Sequence, residues 1–366
     1  MLDFTSALYL GLRHDSDALS PWTELTSGRP AVLDEPPGAG GVARALARRM
    51  GFRRGVLGPS TLHLFHDVFE LLARRPVAVL LDAGLYPIGR WGAARAALAG
   101  APMCEIGHHD PAALRTAIAR CDPARCPVVV VDGYCPGCGR VAPLAAYLEA
   151  VHARDGWLVV DDTQALGVLG REPGRVPPFG AGGGGSLPYC GVAGRGVIAV
   201  CSLAKGFGVP AAVAAGDGEL VARLSDAPTR VHCSPPSAPT IRAAMHALAL
   251  DDREGDARRQ RLAAVVARFR RGLARAGLRA RGGAFPVQRL RPDGVSAAVM
   301  YRRLLSSGIR AVILRAACSA EPEVTLVLTA RHRDDEIDTA VTVLARCAGL
   351  KPARESCIRS SRPSIE

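Results

Sequence analysis

The sequence predicts an α/β fold in which a large unit with a mostly parallel sheet is followed by a smaller C-terminal α/β unit. Short apolar runs rich in Val and Leu alternate with segments of helical periodicity from about residue 41 to 250. The runs are apolar throughout, which is typical of strands buried on both faces. The length of 366 residues allows one large domain and a smaller one.

The predicted strands and helices alternate along the first part of the chain. Each strand is a short apolar run, and each helix repeats its apolar residues at helical spacing. The predicted strands are 77–82, 103–106, 128–132, 157–162 and 197–202, and the predicted helices between them are 61–73, 89–99, 111–120 and 143–154.

The pattern becomes more helical and more basic after Pro235. Two helices are expected, over 238–250 and 256–276, and the second carries seven arginines. The glycine-rich stretch 180–186 is expected to be a flexible surface loop. We predict an N-terminal arm at 1–40, a large domain at 41–250, a small domain at 251–350 and a disordered tail at 351–366.

Charge and hydropathy restrict the possible partners. The net charge is +12, but the arginines are dispersed through predicted helices and aromatic residues make up only 5% of the chain. We therefore expect no nucleic-acid partner. No apolar run approaches the roughly 20 residues that a membrane-spanning helix needs, and the N-terminus does not resemble a signal peptide. The sequence predicts a cytoplasmic protein without a membrane partner.

Four of the eleven cysteines lie close together in sequence: Cys121, Cys126, Cys135 and Cys138. The strand predicted at 128–132 separates the first two from the last two by roughly 15–20 Å, which is too far for a shared metal ion. The sequence therefore predicts no metal site. Cys135 and Cys138 could form a reversible disulfide, although a turn with two free thiols is favoured.

One lysine is unusual in a chain that uses arginine for almost all of its positive charge. Lys205 and Lys351 are the only lysines beside 44 arginines, and Lys205 follows the strand predicted to end at Ser202. Because the carboxyl ends of parallel strands meet at one edge of the sheet, Asp161 or Asp162 is expected near this lysine. Unlike arginine, a lysine amine can lose its proton and attack a carbonyl carbon.

Pyridoxal phosphate (PLP) is the aldehyde cofactor that pairs with such a lysine through a Schiff base. It needs an acid at its pyridine nitrogen, and hydroxyl groups and helix-end amides at its phosphate. Asp161 suits the nitrogen, and Ser60, Thr61 and Ser202 suit the phosphate. The alternative is that Lys205 is an ordinary surface lysine at a strand end.

Two segments resemble the α-oxoamine synthase family of fold-type I PLP-dependent enzymes. "DGWLVVDDTQALGVLG" (155–170) is similar to the family segment that carries an aspartate, and "CSLAKGFGVPAAVAAG" (201–216) is similar to the cofactor-lysine segment. Three further stretches fit the family, and the resemblance extends from about residue 2 to 348. They are "LDFTSALYLGLRH" (2–14), "EGDARRQRLAAVVARFRRGL" (254–273) and "LTARHRDDEID" (328–338).

The resemblance implies a role for each matching residue. Lys205 would hold PLP as a Schiff base and then remove the α-proton of the substrate, and Asp161 would keep the pyridine nitrogen protonated. The substrates would be an amino acid and an acyl thioester of CoA or of an acyl carrier protein, and the protein would be a homodimer. The residues at the phosphate would be Ser202, Ser60, Thr61 and, from the neighbouring subunit, Ser234.

Several positions depart from the family pattern. Gln164 replaces a histidine near the cofactor, and Tyr86 replaces the histidine that stacks on its ring; both are still expected to act in catalysis and in cofactor binding. Pro136 replaces a serine. Thr325 stands where the family has the arginine that binds the substrate carboxylate, and Arg315 could compensate for that loss.

The sequence thus predicts a PLP-dependent acyltransferase that joins an amino acid to an acyl thioester by decarboxylative Claisen-type condensation. Two alternatives stay open. One is a PLP enzyme with altered chemistry, such as aminotransfer, a lyase reaction or condensation on an unusual amine. The other is a non-catalytic protein with this fold. The basic helix predicted at 256–276 could attract CoA phosphates or an acidic carrier protein, although a solvated face is favoured.

Overall fold

The computed structural model describes residues 1–14, 25–26, 28–216, 218–319 and 321–350. The strands are β1 (Leu2–Asp3), β2 (Arg54–Gly58), β3 (Val77–Asp82), β4 (Met103–Ile106), β5 (Cys126–Asp132), β6 (Tyr134–Cys135), β7 (Arg140–Val141), β8 (Trp157–Asp161), β9 (Val197–Ser202), β10 (Ala212–Gly216), β11 (Ala280–Arg281), β12 (Val287–Leu290), β13 (Ile309–Arg310), β14 (Val312–Leu314) and β15 (Glu323–Val327). The helices are α1 (Ala39–Arg49), α2 (Thr61–Leu72), α3 (Pro87–Leu98), α4 (Pro111–Arg120), α5 (Leu144–His152), α6 (Ser186–Tyr189), α7 (Gly218–Leu224), α8 (Pro228–His232), α9 (Ala238–Arg275), α10 (Ala297–Ser306) and α11 (Asp334–Cys347). The predicted tail at 351–366 lies outside the described residues.

A seven-stranded sheet forms the centre of the large unit, in the order β2-β10-β9-β8-β5-β3-β4. All neighbouring strands are parallel except the pairs that β10 makes with β2 and β9. This arrangement confirms the predicted α/β class and the mostly parallel sheet. β3, β4 and β9 have the predicted bounds. β2 and β10 were not predicted; in β10 only Val213 is β-branched, and the other residues are alanine or glycine.

Both faces of this sheet are covered, and successive residues of each central strand belong to opposite faces. In β5, Val129 and Val131 pack into one apolar cluster, while Val128 and Val130 pack into the other. All four side chains are fully buried. Burial of one such valine contributes roughly 1.5–3 kcal/mol, which explains why the strand is apolar without alternation.

A four-stranded sheet in the order β11-β12-β15-β14 forms the C-terminal unit and packs with α10 and α11. β1 pairs in parallel with β13, and Phe4 is fully buried in this second core. The first residues of the chain therefore pack against the C-terminal unit. Among the described helices, none is long and apolar enough to cross a membrane.

The two helices predicted at 238–250 and 256–276 form one continuous helix, α9, so the prediction of a break was wrong. One polar residue at the expected break, Asp251, is buried and paired. The Asp251 carboxylate accepts from Arg259 Nη1 at 2.8 Å and lies 3.5 Å from Arg49 Nη1. The domain boundary predicted at 250/251 falls inside this helix, and the domain limits stay predictions.

The glycine-rich stretch predicted as a flexible surface loop is largely buried, from residue 183 to 186. Its backbone is hydrogen-bonded to the segment after β8, for example from Gly185 N to Leu169 O at 2.7 Å. Gly185 has a φ of 100°, and a Cβ at this position would overlap the Asp162 carboxylate. The glycines serve close backbone packing, which explains why the flexibility prediction was wrong.

Candidate active site

A cavity of about 900 Å³ lies at the carboxyl ends of β5, β8 and β9. The large sheet contributes Asp132, Asp161 and Ser202 to its lining, and the turn after β9 contributes Lys205. The C-terminal unit closes the opposite side with β14, β15 and the loop 315–319. This is the edge at which parallel α/β sheets bind their ligands.

Two carboxylates and one amine form the polar centre of this cavity. Asp132 and Asp161 are register partners on β5 and β8. Burial raises the pKa of Asp132 well above its ordinary value, and the charge of Asp161 raises it further. Burial also raises the pKa of Asp161, against the opposing effects of Thr163 and Lys205.

Burial lowers the pKa of Lys205, while the charges of Asp161 and Asp132 act in the opposite direction. This lysine therefore loses its proton more readily than an exposed lysine does. The interpretation of Lys205 as an ordinary surface lysine finds no support in this placement.

Hydrogen bonds fix the direction of Asp161. Thr163 N donates to Asp161 Oδ1 at 3.1 Å, and Ser202 N donates to Thr163 Oγ1 at 3.0 Å. The next carboxylate, Asp162, turns the other way and accepts from Ser186 N at 2.8 Å. Of the two aspartates that the sequence left open, Asp161 is the one that lines the cavity.

Gln164 lines the same cavity and is held by a residue that the sequence analysis did not single out. The Tyr9 hydroxyl donates to Gln164 Oε1 at 2.6 Å, and Tyr9 is only 1% exposed. Tyr9 lies in the stretch 2–14, which fits the family pattern, so the sequence could have indicated it. Asp132, the last residue of the strand predicted at 128–132, also lines the cavity and was not predicted as a site residue.

The residues predicted to bind the phosphate lie at the start of α2 and at the end of β9. Ser60 is the N-cap, and its hydroxyl is engaged with His63 through Nδ1 at 2.8 Å. Thr61 and Ser202 line the cavity, whereas Ser60 is not among its lining residues. A helix N-terminus with free backbone N–H groups attracts an anion. Ser234 is exposed and does not line the cavity in the single chain; its contact across a subunit interface stays a prediction.

The remaining predicted residues lie on the outer wall. Tyr86 is 59% exposed and lines the cavity, and its backbone N donates to Asp132 Oδ1 at 3.2 Å. Thr325 is buried in β15, and Arg315 is exposed on the loop after β14. Both line the cavity. Among the described residues, no hydrogen bond or ion pair engages the Arg315 guanidinium.

The donor set matches the chemistry of PLP. A partly buried amine could hold the aldehyde, and the adjacent buried Asp161 could face a protonated ring nitrogen. The N-terminus of α2 and Ser202 could hold the phosphate. The residues that would meet these requirements come from two strands, the turn after β9 and the start of one helix.

Comparison with known proteins agrees with this chemistry. The sequence profile described as "Aminotransferase class I and II" matches residues 92–344. The 8-amino-7-oxononanoate synthase of Alcanivorax borkumensis is 30% identical, over 94% of this chain and 89% of that relative. The chain belongs to the α-oxoamine synthases, within the aminotransferase class I and II family. This membership makes it a PLP-dependent transferase with PLP as its cofactor.

Other α-oxoamine synthases match over different extents. The 8-amino-7-oxononanoate synthase of Pseudomonas paraeruginosa is 34% identical, over 73% of this chain and 62% of that relative. A serine palmitoyltransferase from S. paucimobilis superposes with a TM-score of 0.81 at 17% identity, over 95% and 87% of the two chains. The 8-amino-7-oxononanoate synthase from Francisella tularensis superposes with a TM-score of 0.71 at 15% identity, over 94% and 97%. The structural likenesses show the fold, which is that of fold-type I PLP transferases.

Proposed function

We propose that this α-oxoamine synthase joins an amino acid to an acyl thioester with loss of carbon dioxide. The new bond connects the α-carbon of the amino acid to the thioester carbonyl carbon. The α-carboxylate leaves as carbon dioxide, and the thiol of CoA or of a carrier protein leaves with one proton. The observation that carries the proposal is the convergence of Lys205 and Asp161 in one cavity.

PLP, when bound, supplies a sink for the electrons released at the α-carbon. Lys205 would hold the cofactor through Nζ and would then move a proton at the α-carbon. Asp161 would keep the ring nitrogen protonated. Gln164, fixed by Tyr9, would donate to the cofactor ring oxygen through its amide nitrogen, because its Oε1 is already used by the Tyr9 hydroxyl. Tyr86 would cover the exposed face of the ring.

The outer wall of the cavity suits an acyl chain. Ile88, Val312 and Leu314 line it, beside Val287 and Val327. An amino acid and PLP alone would not need such an apolar wall, whereas an acyl thioester buries its chain there with a gain of roughly 25 cal/mol per Å². The names of the relatives support transfer of an acyl group, and they do not identify the acyl chain that this enzyme uses.

The amino-acid side of the reaction rests on Arg315. Thr325 offers no positive charge at the position where the resemblance expects an arginine, and Arg315 lines the same wall. We assign the substrate carboxylate to Arg315. The same observation supports a second candidate function, which is condensation on an amine that has no free carboxylate. Such a substrate would need no arginine at position 325, and the condensation would then proceed without decarboxylation.

Partner contacts complete the proposal. We propose a homodimer in which Ser234 contacts the cofactor phosphate bound by the neighbouring subunit. We also propose a cytoplasmic location. The basic face of α9 contributes less than its sequence suggests, because Arg261 and Arg268 pair with Asp334, and Arg268 also pairs with Asp338. These arginines are neutralised within the chain, which favours the interpretation of a solvated face over a CoA or carrier-protein site.

Two lysines in the chain allow a sharp test. Borohydride reduction of the purified holoprotein should attach one pyridoxyl phosphate, and peptide mapping should find it at Lys205. Lys205→Ala should abolish the adduct, while Lys351→Ala should leave it unchanged. The reaction itself is tested by incubating a panel of amino acids with acyl-CoA and acyl-carrier-protein substrates and measuring carbon dioxide and free thiol. An adduct at Lys351, or turnover that survives Lys205→Ala, would refute the proposed role of Lys205.

A further inference from the structure

A cluster of three thiols and two imidazoles lies beside the active-site cavity. His108 and His109 follow β4, Cys135 and Cys138 belong to the β6–β7 hairpin, and Cys318 lies on the loop after β14. Potential ligand atoms of His108, Cys135 and Cys318 lie within 4.8 Å of one another, and those of His108, His109 and Cys138 do the same. The two groups share His108, which places it at the centre of the cluster.

Two separations are close to those of neighbouring ligands in a tetrahedral zinc site, although Cys138 does not belong to the group formed by His108, Cys135 and Cys318. Cys135 Sγ lies 3.5 Å from Cys318 Sγ, and Cys138 Sγ lies 3.3 Å from His108 Nε2. With Zn–S near 2.3 Å and Zn–N near 2.0 Å, neighbouring ligands of a tetrahedral ion are separated by roughly 3.5–3.8 Å. Cys138 N donates to Cys135 Sγ at 3.4 Å, which helps to fix the position of that sulfur.

A buried carboxylate orients the central histidine. His108 Nδ1 is bonded to Asp82 Oδ1 at 2.6 Å, and Asp82 is only 1% exposed. Asp82 is itself fixed, since its Oδ2 accepts from His109 N at 2.8 Å and from the Tyr147 hydroxyl at 3.1 Å. This contact leaves His108 Nε2 pointing at Cys138. A carboxylate behind an imidazole is the usual support of a metal-binding histidine.

The backbone leaves no space for larger residues around the cluster. A Cβ on Gly137 would collide with Cys318 Sγ and with the Ala316 side chain, and a Cβ on Gly84 would collide with the His108 ring. Glycine at these positions therefore permits the close approach of ligands from both units. A disulfide would explain two of the thiols at most, and it would leave the third thiol and the oriented imidazole without a role.

We propose that Cys135, Cys318 and the Nε2 atom of His108 bind one structural Zn²⁺ ion, and that Cys138, which lies 3.3 Å from that nitrogen, moves towards the two other thiols as the fourth ligand when the ion binds. The prediction of no metal site considered only cysteines close in sequence. Cys318 lies 180 residues beyond Cys138, and its contact depends on how the two sheets pack. The ion closes its tetrahedron with protein ligands, so it is structural rather than catalytic. It joins the loop 315–319, which carries Arg315, to the large unit.

Metal analysis of the unmodified protein provides the first test. The full chain is purified in reducing buffer without chelator and examined by inductively coupled plasma mass spectrometry. We expect about one zinc per chain. X-ray absorption at the zinc edge should show three sulfur ligands near 2.3 Å and one nitrogen near 2.0 Å. Absence of zinc after supplementation, or a shell of oxygen ligands only, would overturn the proposal.

Variants assign the ligands. Cys318→Ser and Cys138→Ser should each lose the zinc, whereas Cys190→Ser, at an exposed cysteine away from the cluster, should retain it. His109→Gln should keep the metal and His108→Gln should lose it; the reverse result would overturn the assignment of His108. A metal-free protein whose non-reduced peptides link Cys135 to Cys138 or Cys318 would show a disulfide instead. Zinc content is independent of turnover, because Lys205→Ala should bind the same amount.

Discussion

Replacement of Arg315 by alanine should weaken amino-acid binding through the substrate carboxylate alone. The guanidinium lines the cavity but is exposed, and it has no ion pair among the described residues. A hydrogen bond to a charged group contributes about 1.5–3 kcal/mol, and the exposure places Arg315 at the lower end. A loss of about 1.5 kcal/mol corresponds to a roughly tenfold weaker dissociation constant.

The assay compares two ligands that differ only at the carboxyl group. The holoprotein is titrated with an amino acid and with its carboxamide, and binding is followed by the change in the visible absorption of the cofactor. Arg315→Ala should raise the dissociation constant of the amino acid roughly tenfold and leave that of the carboxamide unchanged, whereas Arg315→Lys should retain part of the affinity. Equal weakening of both ligands would refute the assignment of the carboxylate to Arg315, and an unchanged amino acid would favour a substrate without a free carboxylate.

Two further predictions concern stability. Tyr9→Phe leaves Gln164 Oε1 without its donor and should lower the free energy of unfolding by about 1–3 kcal/mol in urea; Tyr301→Phe, at a half-buried tyrosine with no hydrogen bond among the described residues, should have little effect, and equal losses would contradict the role of the Tyr9 hydroxyl. Burial raises the pKa of Asp162 from 3.8 to about 7. A carboxyl group whose pKa is higher in the folded than in the unfolded state lowers stability as pH rises from the unfolded-state pKa through the folded-state pKa. Asp162 should therefore lower the free energy of unfolding by about 3 kcal/mol between pH 5 and pH 8. Asp162→Asn should remove this part of the pH dependence in urea titrations, and an unchanged slope would contradict it.

The strands that carry the active site could be predicted from sequence because each is a continuous apolar run. β3, β4 and β9 matched their predicted bounds, and the polar residues after β8 and β9 converge as expected. Lys205 was informative because lysine, unlike arginine, can form a Schiff base, and the chain uses arginine for almost all other positive charges. Asp161 and Lys205 could therefore be placed before the structure was known.

Other features depend on packing between distant segments and have no local signal. Asp251 gave the appearance of a helix break, but its buried partner Arg259 satisfies it within α9. The contact of Tyr9 with Gln164 joins residues 155 positions apart. The glycines before Ser186 suggested flexibility, although they permit tight packing around Asp162. Cys318 reaches Cys135 only because two sheets meet there.

The two ends of the described chain are joined by contacts of very long range. Phe4 stacks on His332 with ring centroids 4.4 Å apart, and Arg331 donates to the carbonyls of Gly11 and Leu12. The ribosome synthesises the N-terminus first, so the segment 4–12 must wait for about 320 further residues before its partners in the C-terminal unit exist. Closure of so large a loop is entropically costly. The cofactor pocket should therefore be completed only at the end of synthesis, and a truncated nascent chain would leave Lys205 without its outer wall.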